Sequence, residues 1–220
     1  MEFKSIENKI PGELYEILEK EISELRPAQE KSIKKGLLEG KNLLVCTPTA
    51  SGKTLIAELA ALKSIIEKKG KAVYIVPLKA LASEKYRDFR KRYEKTAKVA
   101  LSVGDTDSSD SYLAEYDLIV TTSEKLDSLI RHHAPWLSGI ATVIVDEIHL
   151  LNDTERGPTL EILITILKKL LKNIQIIGLS ATIGNAEELA EWLEADLVVD
   201  EWRPVRLHKG IYLDGKIEFY

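Results

Sequence analysis

Leu43-Leu-Val-Cys46-Thr47-Pro48-Thr49-Ala50-Ser51-Gly52-Lys53-Thr54 runs from an apolar strand candidate through a short polar loop into a helical pattern that continues to Lys68. Strand, loop and helix in that order around Gly-Lys-Thr is the setting a phosphate loop requires. Gly52 lets the backbone come close to an anion. The N–H groups of the Thr49, Ala50 and Ser51 segment and the helix N-terminus then face it. Lys53 is placed for the β- and γ-phosphates of a nucleotide, and Thr54 can hold Mg²⁺ through its hydroxyl. One position departs from the general pattern: Thr47 stands where a glycine opens the loop.

Outward from this stretch, short β-rich runs alternate with helical periodicity. Two helices are predicted upstream, over 12–22 and 27–38, with Gly40 expected as a C-cap. Downstream, strands are expected at 72–76, 99–103, 118–121, 143–146 and 174–179. Helices are expected at 79–93, 123–132, 159–171 and 186–193. Thr121 with Glu124, and Asn185 with Glu188, have N-cap and N3 spacing. The alternation predicts an α/β domain over residues 1–200, a mostly parallel sheet with helices on both faces. Residues 201–220 read as a tail leading towards a neighbouring domain.

Val143-Ile-Val-Asp146-Glu147-Ile-His149 is the second informative stretch. Four apolar residues ending in paired acids fit a buried strand that delivers Asp146 to its carboxyl end, where such sheets bind ligands. Asp146 is expected to hold Mg²⁺, and Glu147 to orient and polarise an attacking water. An acidic loop after a strand is the plainer alternative. The coupling to the Lys53 loop is what favours the catalytic one.

Composition narrows the rest. The 220 residues carry a net charge of −4, so no global basic field draws the chain to nucleic acid and any such surface is local. The lone cysteine, Cys46, sits in an apolar run and reads as a core thiol. No signal peptide or bilayer-length apolar segment is evident, and a soluble, intracellular (cytoplasmic) protein is expected. Trp136, Trp192 and Trp202 read as packing residues, and His132-His133 beside Arg131 as a helix end. Asp105-Thr-Asp-Ser-Ser109 fails as a calcium loop, because Asp110 stands where glycine is needed and Tyr116 where glutamate is needed.

Asp146-Glu-Ile-His149 together with Ser180-Ala-Thr182 resembles the second and third motifs of superfamily 2 helicases. Leu25-Arg-Pro-Ala-Gln29 resembles their adenine-recognising glutamine segment. Pro77-Leu-Lys-Ala-Leu81 and Thr121-Thr-Ser-Glu-Lys125 resemble motifs that touch single-stranded nucleic acid. Within the superfamily the likeness is to the Ski-type branch, and there to archaeal repair helicases of the Hjm type. It rests on Gly70–Tyr74, Glu124–His132, Gly184–Leu193 and Trp202–Val205. The resemblance implies the first RecA-like P-loop NTPase domain of an ATP-dependent 3′-to-5′ DNA helicase acting at stalled or branched forks. It implies Gln29 at adenine and Lys53, Thr54, Asp146 and Glu147 at phosphate, Mg²⁺ and water. His149, Ser180 and Thr182 then couple nucleotide state to domain movement. Pro77, Lys79, Thr122 and Lys125 lie near the DNA strand.

The same resemblance implies a second RecA-like domain carrying arginine fingers, followed by a winged helix and a helical ratchet. No Gln-x-x-Gly-Arg-x-Gly-Arg segment occurs in residues 1–220, so this stretch alone is expected to bind ATP weakly, hydrolyse it slowly and not unwind duplex. A nucleotide-dependent docking module and an RNA helicase of the same superfamily are the alternatives. A GTPase lacks support, since no Asn-Lys-x-Asp segment occurs.

Overall fold

A computed structural model describes residues 1–104, 110–205 and 208–219, and the rejected calcium-loop segment 105–109 lies outside them. The chain begins with a 3₁₀ segment, Phe3–Lys9, then α1 (Gly12–Leu18) and α2 (Pro27–Lys34). The repeating part follows: β1 (Leu43–Cys46), α3 (Lys53–Ile66), β2 (Lys71–Val76), α4 (Lys79–Tyr93), β3 (Val99–Ser102), β4 (Leu118–Thr122), α5 (Ser123–Arg131), β5 (Ile140–Val145), α6 (Gly157–Leu170), β6 (Gln175–Ser180), α7 (Ala186–Leu193) and β7 (Asp196–Val199). A separate hairpin, β8 (Gly210–Leu213) with β9 (Lys216–Phe219), closes the described chain.

The seven main strands form one sheet in the order β3-β4-β2-β5-β6-β1-β7, and every pairing in it is parallel. Period-two alternation sends successive side chains to opposite faces. Leu43, Val45, Tyr74, Val76 and Val120 pack with α1 to α4, while Leu44, Cys46, Val73, Ile75 and Ile119 pack with α5 to α7. Helices therefore cover both faces, as expected of a parallel sheet buried on both sides. This is the RecA-like α/β fold expected from the sequence.

Several local expectations are corrected. Strand β7 was not expected from the sequence; it pairs along β1, from Leu43 opposite Asp196 to Cys46 opposite Val199. The α2 helix ends at Lys34, four residues early, because Gly36 (φ 99°) turns the chain there; Gly40 (φ 84°) closes the next turn instead. The N-cap of α5 is Thr122 rather than Thr121: its hydroxyl accepts from the Lys125 N–H at 3.4 Å. Asn185 is at the N-cap position of α7 but makes no side-chain cap bond. No helix among the described residues is long and apolar enough to cross a membrane.

Candidate nucleotide site

Parallel strands bring their carboxyl ends to one edge, so the residues just after β1, β6, β5, β2 and β4 share a rim. Strand β6, which ends at Ser180, lies between β1 and β5. The loop 47–52 and the acids Asp146 and Glu147 thus flank one strand.

The loop is tied down from several sides. Thr47 is fully buried and its hydroxyl lies 2.7 Å from the buried Ser51 Oγ. The departure from glycine at Thr47 therefore supplies a side-chain strut across the loop. Thr49 and Ala50 form the exposed tip, and Ala50 holds a left-handed φ of 61°. Gly52 has a φ of 94°, and a Cβ there would come 2.3 Å from Gln29 Nε2. No other residue type meets both demands without strain.

Gln29 is buried on α2. Its Oε1 accepts from the Arg26 N–H at 2.8 Å and its Nε2 donates to the Gly52 carbonyl at 3.0 Å. Arg26 donates to the Ala50 carbonyl at 2.6 Å while its guanidinium lies 5.6 Å from the centre of the Trp202 ring. The glutamine segment, read from the sequence only as an adenine contact, also grips the phosphate loop. Trp202, read from the sequence as a packing residue, is 39% exposed, with its ring facing the Arg26 guanidinium. A cleft of about 670 Å³ opens here, lined among others by Arg26, Gln29, Gly52, Thr54 and Lys85.

Lys53 opens α3 and folds its ammonium back over the loop, donating to the carbonyls of Thr47 (2.9 Å) and Ser180 (3.0 Å). Burial lowers its proton affinity, and the nearby charges of Glu147 and Asp146 act against that. Lysine and acids thus share one electrostatic environment. Asp146 Oδ2 accepts from the Tyr74 hydroxyl at 2.8 Å, and Oδ1 accepts from the Glu147 N–H at 3.1 Å. Glu147 holds a left-handed φ of 52°, a strained conformation for a residue with a side chain. Its Oε2 lies 3.3 Å from His149 Nδ1. Ser180 is buried, with its carbonyl engaged by Lys53, and Thr182 is exposed in the segment that follows.

The expected nucleic-acid residues divide. Pro77 is half-buried and Lys79, the first residue of α4, is exposed. Thr122 is buried and occupied in capping α5. Lys125 is only 3% exposed, with Nζ 3.0 Å from Asp110 Oδ2. Lys125, expected near a nucleic-acid backbone, is thus held in a buried ion pair.

Sequence reading missed two features. Glu58, the one acid inside the apolar run Leu55–Leu62, is buried on α3 and receives both contacts of Arg92 Nη1, at 2.8 and 3.0 Å. Burial outweighs the arginine and pushes its pKa up to about 7. Tyr74 was read as part of the strand at 72–76 and of the Gly70–Tyr74 stretch, with no role of its own. A tyrosine inside a fully buried strand signals a hydroxyl in need of a partner, and here the partner is Asp146.

Residues 26–189 match the DEAD/DEAH box helicase family. The chain belongs to that family. This helicase chain is 56% identical over 207 residues to the ATP-dependent DNA helicase Hel308 of Methanocaldococcus jannaschii, covering 90% of this chain and 17% of that protein. It is 52% identical over 210 residues to Hel308 of Pyrococcus abyssi, covering 95% and 29%. The chain thus spans less than a third of either relative. A crystal structure of the DUF1998 helicase MrfA bound to DNA aligns with a TM-score of 0.73 and 27% identity, over 88% of this helicase chain and 30% of that one. The family and the archaeal relatives agree with the resemblance carried by the glutamine, Asp-Glu-Ile-His and Ser-Ala-Thr segments.

Proposed function

We propose that this chain is the ATP-binding motor domain of an ATP-dependent 3′-to-5′ DNA helicase acting in repair at stalled or branched forks. The observation that carries the reading is the gathering of Lys53, Thr54, Asp146 and Glu147 at one edge of the sheet, on either side of β6. DNA as the track is supported by the names of the archaeal relatives and by the DNA-bound neighbour.

The donor set suits its ligands. Thr54 and Asp146 offer hard oxygen atoms, the chemistry Mg²⁺ selects. They are too few for an all-protein cage, which fits an ion that keeps water and phosphate in its shell. No cluster of three or more acidic, histidine or cysteine ligands occurs among the described residues. When bound, Mg²⁺ neutralises charge developing on the transferred phosphoryl group. The residues of the chain do the remainder. Thr49 to Gly52 present backbone N–H groups, and Lys53 exchanges its two carbonyls for phosphate oxygens. Gln29 reads adenine with the amide hydrogen it has left. Glu147 leaves His149 to accept a proton from the attacking water, so its strained backbone aims the carboxylate. His149, Ser180 and Thr182 link that event to a second RecA-like domain. Pro77 and Lys79 meet the strand, with Thr122 and Lys125 acting beneath them.

In the full-length parent protein, Glu147→Gln is expected to lower ATP turnover by about 100-fold or more while fluorescent ATP still binds. Single-stranded DNA is expected to stimulate the unsubstituted enzyme. Turnover indifferent to both DNA and the substitution contradicts the reading.

A further inference from the structure

Both candidate metal ligands carry a hydrogen bond from the same part of the fold. Tyr74, 1% exposed on β2, donates its phenol to Asp146 Oδ2 at 2.8 Å. Lys85, on α4, donates to Thr54 Oγ1 at 3.3 Å. β2 and α4 are consecutive, joined only by Pro77 and Leu78, the turn expected at the nucleic acid. The unit is also braced internally: Phe89 of α4 meets the Tyr74 ring edge-on at 5.2 Å. Further along α4, Arg92 is fixed on Glu58 of α3.

These contacts act on a cation in opposite directions. The Tyr74 phenol is one of two hydrogen bonds that fix the Asp146 carboxylate, and an oriented ligand binds metal more tightly than a rotating one. The Lys85 ammonium places a positive charge against the Thr54 oxygen and competes with any cation there.

We propose that Tyr74 and Lys85 are positioning residues that set the metal affinity of the site, and that the β2–α4 unit is the route by which nucleic acid at Pro77–Lys79 acts on it. The inference rests on the nucleotide reading above. A displacement of α4 by a bound strand moves Lys85 relative to Thr54, and through Phe89 it moves Tyr74 relative to Asp146.

The test is the Mg²⁺ dependence of fluorescent ATP binding, repeated with Mn²⁺ by electron paramagnetic resonance, so that no turnover is needed. Tyr74→Phe removes one oxygen and keeps the ring; it should raise the half-saturating Mg²⁺ concentration about ten-fold. Lys85→Met should lower it several-fold. Nucleotide affinity without metal should stay within about two-fold in Tyr74→Phe, and the thermal unfolding midpoint should be unchanged in both variants, which separates positioning from damage to the fold. A midpoint unmoved in one variant overturns the role of that residue, and unmoved midpoints in both overturn the proposal. In the full-length parent protein, a single-stranded oligonucleotide should shift the midpoint, and a shift persisting at full size in both variants overturns the route. If the unsubstituted chain binds ATP without regard to Mg²⁺, the nucleotide reading itself fails, and this inference with it.

Discussion

The turn from β1 into α3 and the turn from β4 into α5 look alike in the sequence: an apolar strand, then threonine and serine, then a lysine at the start of a helix. Their lysines meet different fates. Lys53 follows the six-residue loop 47–52 and curls over it onto two backbone carbonyls, half-exposed. Lys125 has no loop before its helix, since β4 ends at Thr122 and α5 begins at Ser123, and it lies buried against Asp110. Loop length decides the outcome. A long loop leaves a crater of carbonyls and N–H groups that a ligand can take over, whereas a direct strand-to-helix turn presses the side chain into the layer beneath. Lys79, after the two-residue turn 77–78, is the intermediate case and stays at the surface.

That contrast can be broken by substitution. Lys125→Met removes the ammonium that faces Asp110 in a buried ion pair, and a loss of about 3 kcal/mol or more in urea unfolding is expected. Lys79→Met in the exposed turn should change stability by no more than about 0.5 kcal/mol, while reducing by about one the slope of log affinity for DNA against log salt. Equal stability losses at the two lysines contradict the contrast.

Between these extremes lies Glu58, buried behind the phosphate loop. Its pKa of about 7 in the folded chain exceeds the ordinary value of 4.5, so the native state keeps a proton that the unfolded chain releases. The associated stability is therefore fully present below pH 4.5 and is lost as pH rises through about 7. Its size is on the order of 3 kcal/mol at most. Glu58→Gln should flatten the fall in unfolding free energy between pH 4.5 and about 7.5. An unchanged pH profile means that Arg92 holds Glu58 ionised throughout.

Much of this architecture was legible because it repeats a pattern. The bounds of α4 and α7 follow directly from their periodicity, and β1 from its four apolar residues between polar ones. β7 escaped notice for a physical reason: Leu197-Val-Val199 is short, flanked by Asp196 and Asp200, and belongs to an edge strand paired only with β1. At the site, residue identity announced the phosphate loop and the paired acids. It did not announce that Lys125 is buried, since its partner Asp110 lies fifteen residues away and meets it only in the fold. Glu58 and Tyr74 were visible as polar groups in apolar runs, but their partners Arg92 and Asp146 are distant in sequence and only the folded sheet brings them together.

The central claim, that Lys53 and the Asp146–Glu147 pair serve one nucleotide, is tested most directly by a crystal structure of the chain with Mg²⁺ and a non-hydrolysable ATP analogue. The expected result is a triphosphate in the 47–52 loop, Lys53 on its β- and γ-phosphate oxygens, and the metal between Thr54 and Asp146. A nucleotide seated elsewhere, or a metal that touches neither Thr54 nor Asp146, contradicts it.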